Sequence, residues 1–114
     1  MIMTYEKALE IIEEEFETMR ESSNNKIIRT GLTYDGCRGF CVSIYNDNGM
    51  AIITDLGETK EVFDEVTEEE WIKLCEENNF EFRHWRIVRV FNCIEDLYDF
   101  IKFLDMISDK FFQY

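Results

Sequence analysis

The sequence predicts an α+β fold, with a three- to five-stranded antiparallel sheet and an N-terminal, a middle and a C-terminal helix packed mainly on one face. Three observations predict it. Apolar residues recur at helical spacing near both ends of the chain, and alternating β-branched runs fill the space between them. Asp35-Gly36 and Asn48-Gly49 punctuate those runs with residues that tolerate the positive φ of a hairpin.

Thr4 is placed to cap a first helix reaching about residue 21, because Tyr5, Ala8, Leu9, Ile12, Phe16 and Met19 form one stripe. Ser22-Ser23-Asn24-Asn25 breaks it. Over residues 26–54 the pattern is β: Ile27-Ile28-Arg29-Thr30, then Phe40-Cys41-Val42-Ser43-Ile44-Tyr45, then Met50-Ala51-Ile52-Ile53-Thr54. Thr67 followed by Glu70 is a capping box that opens a second helix to about residue 78, with Trp71, Leu74 and Cys75 inward. Residues 80–91 read as one strand or as a hairpin pivoting at His84-Trp85. Asn92 with Glu95 repeats the cap logic for a last helix, whose core stripe is Ile94, Leu97, Tyr98, Ile101, Leu104 and Ile107, widened by Phe100, Phe103 and Phe111. With no proline, repeat or composition break, residues 1–114 read as a single domain.

Charge is the dominant chemical feature. Twenty-five acidic residues face twelve Lys and Arg, for a net charge of −13. Such a coat disfavours direct nucleic-acid binding and favours a protein with a basic surface or groove as partner. The 46 % apolar content, with ten Phe, excludes a disordered acidic tail. No apolar run approaches a membrane span and no leader pattern is present, so a cytoplasmic location, bacterial or host-cell, is expected, with the four cysteines as free thiols.

The stretch Ile44-Tyr45-Asn46-Asp47-Asn48-Gly49-Met50-Ala51-Ile52-Ile53-Thr54-Asp55-Leu56-Gly57-Glu58-Thr59 resembles the small prokaryotic and phage family named domain of unknown function eighteen twenty-eight. Element order matches over most of residues 28–107, and Thr54, Asp55 and Gly57 match residue by residue, with Leu56 interrupting the aspartate-glycine pair. The resemblance implies an α+β fold and a bacterial or mobile-element source, and it implies no activity. Read locally, Asp55 and Gly57 form a turn in which the carboxylate accepts N–H groups and glycine takes an unusual φ.

Chemical constellations are few. Cys37 and Cys41, completed by Cys75, Cys93 or His84, would make a zinc site only if Arg38-Gly39 turned sharply. Cys93 at a helix start, with His84 as base, would be a nucleophile lacking an orienting third group. Asn46-Asp47-Asn48-Gly49 fails as a calcium loop, because the first ligand position would be Ile44 and the twelfth Asp55 in place of the longer bidentate Glu. No catalytic, metal or cofactor-binding residue is therefore assigned.

The expected function is a small non-catalytic protein-binding module. Its acidic face comprises Glu6, Glu10, Glu13 and Glu17, together with Glu61, Asp64, Glu65, Glu68 and Glu69. A phage-type inhibitor that mimics nucleic-acid charge against a CRISPR or restriction effector is the specific form of that expectation. Arg83, Trp85, Arg86 and Arg89 form a secondary patch whose cations are expected to pair with the first helix or with the region 64–70. The alternatives are a homodimer through the aromatic C-terminal helix, with Phe100, Phe103, Phe111, Phe112 and Tyr114, and a Cys- or metal-dependent enzyme.

Overall fold

The computed structural model describes residues 3–22, 24–34, 39–40 and 42–111. Its first helix, α1 (Tyr5–Glu13), starts where expected, with the Thr4 hydroxyl accepting the Lys7 N–H at 3.3 Å. It ends earlier than the apolar stripe implies. Glu13, Glu14, Glu15 and Glu17 would crowd negative charge at the negative end of the helix dipole, and no basic residue sits in the last turn to offset it. The chain instead turns at Phe16 and enters strand β1 (Thr18–Ser22), which pairs with β2 (Asn25–Ile28). At the predicted break Ser22 of β1 pairs with Asn25 of β2, and Met19, expected on the helix stripe, is a strand residue 46 % exposed.

Strands β3 (Val42–Asp47) and β4 (Met50–Thr54) join through Asn48 and Gly49, at φ 52° and 91°. The Gly49 N–H donates to Asn46 Oδ1 at 2.7 Å, so the segment is a tight turn with its oxygens used internally. Residues 80–91 form a hairpin, β5 (Glu81–Arg83) and β6 (Arg86–Val90), pivoting on His84 and Trp85 at φ 53° and 64°. Strand order is β1-β2-β3-β4-β6-β5 with every pair antiparallel. The sixth strand arises from the tail assigned to the first helix. The expected Asp35-Gly36 turn lies outside the described residues.

A short helix that the pattern did not announce, α2 (Glu58–Val62), precedes α3 (Glu68–Glu77). Thr67 caps α3 as expected, its hydroxyl accepting the Glu70 N–H at 3.2 Å. The last helix, α4 (Ile94–Phe111), starts one residue later than its cap pair suggests. Asp96, not Glu95, reaches back: its Oδ2 accepts the N–H groups of Asn92 at 2.7 Å and Cys93 at 3.1 Å.

Alternation along the strands sorts the sheet into two faces. Ile28 and Val42 share one face, as do Ile44 and Ile53, and with Ala51 and Ile87 they enter the main core. Tyr5, Ala8 and Ile12 of α1, Trp71 and Cys75 of α3, and Leu97, Phe100, Ile101, Leu104 and Ile107 of α4 close over them. Phe80 stacks on Phe103 at 4.4 Å and meets Phe100 edge-on at 5.6 Å. Tyr98, assigned to the core stripe by spacing, lies on the outer side of α4, 40 % exposed. Among the described residues, no helix is long and apolar enough to cross a membrane.

Candidate functional site

The acidic residues singled out by sequence fall on two stretches of the fold. Glu6, Glu10 and Glu13 lie along α1, while Glu17 sits in the bend before β1, and all four are exposed. This group is partly neutralised, with Lys7 at 3.4 Å from Glu10 and Lys26 at 3.2 Å from Glu13. The second group runs from Glu61 in α2 through Asp64 and Glu65 to Glu68, Glu69 and Glu70 in the first turn of α3. All six side chains are exposed. No ion pair among the described residues involves Asp64, Glu65, Glu68, Glu69 or Glu70.

The segments beside the two groups pack against different parts of α4. Near the end of α1, Phe16 packs 5.8 Å from Tyr98, whose hydroxyl donates to Glu15; Phe63 and Trp71 pack 6.0 and 5.6 Å from Phe111. Tyr98 and Phe111 are thirteen helical residues apart, about 20 Å at ~1.5 Å per residue, more than twice the physiological Debye length of ~8 Å.

The arginines pair elsewhere than expected. Arg83 meets Glu81 at 3.3 Å, and Arg89 meets Asp96 at 3.1 Å and Asp99 at 3.9 Å, so neither serves α1 or the region 64–70. Short separations along one hairpin and across to the start of α4 win over distant helices. Arg89 also lies over the Phe80 ring at 4.9 Å, which makes it a clamp between β6 and α4. Asp96 holds both the helix start and this clamp, so Asp96→Ala is expected to cost about 1–2 kcal/mol in a urea melt. A loss below a few tenths would show the cap to be redundant.

Trp85 is separated from Arg89 and joined instead to the second acidic group. Its carbonyl lies against Gly57, where an added Cβ would come within 3.2 Å, and Gly57 holds φ 81°. The Lys60 ammonium sits 4.7 Å above its ring. Phe82 meets that ring edge-on at 6.1 Å, and Trp71 stacks behind Phe82 at 6.1 Å. Glu68, Ile72, Phe82, His84 and Trp85 line a notch of about 310 Å³. Arg83 and Arg86 pair with each other across the hairpin, one step from the Phe82 and Ile87 pair, and so project from its opposite face.

Asp55 is the buried polar centre beneath this region, 1 % exposed. Its Oδ1 accepts the N–H groups of Gly57 at 3.0 Å and Ile87 at 2.9 Å, and its Oδ2 accepts that of Thr59 at 3.3 Å. Burial pushes its carboxyl above the ordinary value, against the opposing pull of those donors. The turn reading of Thr54-Asp55-Leu56-Gly57 therefore acquires a longer-range role, since Ile87 lies on another strand. Position-by-position spacing carried no signal for that contact.

The sulfur chemistry separates by position. Cys75 is fully buried, and burial, reinforced by Asp55 and Glu76, pushes its thiol up to about 12. Cys93 is exposed beside the start of α4, and desolvation together with the Glu95 and Asp96 carboxylates raises its thiol above the ordinary value. The five residues of β6, about 16 Å at ~3.3 Å each, separate His84 from the Cys93 end, so the two do not form a dyad. Cys37 and Cys41 lie outside the described residues, and among the described residues no His, Cys, Asp and Glu cluster could hold a metal ion. Phe100 and Phe103, considered for self-association, are 0 % and 3 % exposed and belong to the core, whereas Phe112 and Tyr114 lie outside the described residues.

No protein-family model, curated protein or solved structure matches the chain. The functional reading consequently rests on surface chemistry alone.

Proposed function

We propose that this protein is a small, non-catalytic binding module that docks its second acidic group, Glu61, Asp64, Glu65, Glu68, Glu69 and Glu70, on a basic surface or groove of another protein. The observation that carries the reading is that five of these carboxylates are exposed without an ion pair among the described residues, within seven positions of chain. Helix α3 has a use for acid in its first turn, worth about 0.3–1 kcal/mol per residue. Three successive glutamates preceded by Asp64 and Glu65 exceed that need and repel one another. The partly neutralised α1 group, with Glu6, Glu10, Glu13 and Glu17, is a secondary contact. Inhibition of a nucleic-acid-handling effector of the CRISPR or restriction type, by imitation of phosphate charge, is the specialised form of this activity.

Capture of bacterial lysate proteins on the immobilised wild type tests it, alongside Glu65→Gln/Glu68→Gln/Glu69→Gln and Glu6→Gln/Glu10→Gln/Glu13→Gln variants. The first triple variant is expected to lose bound partners, the second to keep most of them, and added salt to release them from the wild type. Identical and salt-insensitive partner sets for all three would reject the reading.

A further inference from the structure

We propose that the notch between the start of α3 and the β5–β6 turn receives a single cationic side chain, lysine or arginine, from the basic partner. The inference rests on the docking reading above and gives it a specific contact. Phe82 and Trp85 stand at 89° to one another with centroids 6.1 Å apart, so two aromatic walls meet at a corner. Trp85 is 45 % exposed, and its ring already attracts an ammonium, that of Lys60 at 4.7 Å. Glu68 stands on the wall of the same notch with no ion pair of its own among the described residues, and supplies a counter-charge. Ile72 gives the aliphatic stem of the incoming residue an apolar surface.

The turn itself points to a use for these side chains. At the β3–β4 hairpin the same positive-φ geometry is met by Asn48 and Gly49, residues that adopt it readily. At the β5–β6 hairpin it is met by His84 and Trp85, bulky residues rarely found there. Local folding does not call for a tryptophan at φ 64°, whereas an exposed ring beside Phe82 does. The nearby cations do not fill the notch: Arg83 and Arg86 project from the other hairpin face, and Lys60 occupies the Trp85 ring without lining the notch. Trp71, stacked on Phe82 at 14°, braces the corner from behind.

Calorimetric titration with a hexa-arginine peptide at low salt tests the site, with hexa-glutamine as the neutral control. Trp85→Gly removes the ring and places at φ 64° the residue best suited to it, so the fold is retained and a thermal melt verifies this. Trp85→Gly is expected to weaken hexa-arginine binding about tenfold, and Glu10→Gln less than twofold. Equal affinity for wild type and Trp85→Gly would overturn the notch. Should the Glu65→Gln/Glu68→Gln/Glu69→Gln variant then still bind more weakly, acidic docking stands without it; should that variant also match the wild type, both readings fall.

Discussion

Asp55→Ala is expected to destabilise the protein by about 3–5 kcal/mol, enough to unfold a marginal domain of this size. The substitution strands three N–H groups, those of Gly57, Thr59 and Ile87, in a place where Asp55 is 1 % exposed and water has little access. It also cuts a chain of polar contacts: the Thr59 hydroxyl bonds the Tyr34 hydroxyl at 2.7 Å, and the Ser108 hydroxyl of α4 donates to the Tyr34 carbonyl. Asp55→Asn should lose roughly half as much, because Oδ1 keeps its two donors while the new amide opposes the Thr59 N–H. Urea melts of the three proteins check the order, and equal midpoints for Asp55→Ala and wild type would remove Asp55 from its central place.

The same carboxyl has a pH signature. Its folded value is raised above 3.8, so between that value and the folded one the native state binds more proton than the unfolded state. Its contribution is greatest at lower pH and declines as pH climbs through that window. The stability advantage of wild type over Asp55→Asn should therefore shrink with rising pH across the acid range. An advantage that grows instead would place the folded value below the unfolded one.

Phe100→Ala is the second large effect, about 3–5 kcal/mol, through loss of a fully buried ring and the cavity it leaves. The ring meets Phe80 edge-on at 5.6 Å, under the Arg89 guanidinium that lies over Phe80, so the loss also loosens the β6–α4 clamp. Size measurement beside the melt separates this from a self-association role: the variant should melt earlier at unchanged oligomeric state. Unchanged stability with altered size would place Phe100 at an interface between copies.

Capping residues and the tightest turns were legible from the chain because they are local. Thr4, Thr67 and the Asn48-Gly49 pair act over three or four residues, so their spacing contains the whole interaction. The stripe of α4 is legible for the same reason, except at Tyr98, whose helical spacing places it on the stripe but whose side chain lies at its outer edge. The tail of α1 misled because helical spacing at Phe16 and Met19 competes with strand pairing to residues 25–28, a non-local gain invisible in periodicity. For the surface, residue type identified the acidic members, but spacing on separate helices was silent on whether they share a field.

Intrinsic preferences and hydrophobic rhythm were sufficient to establish an α+β fold, the Asn48-Gly49 turn and the heavy negative charge. Three-dimensional packing alone settled which parts of α4 the segments beside the two acidic groups meet, the pairing of Arg89 with α4, and the meeting of Trp85 with Glu68 in one notch. The division follows from range: capping, turn formation and amphipathicity operate within a few residues, whereas screened charge and aromatic contact depend on distances that only the folded backbone sets.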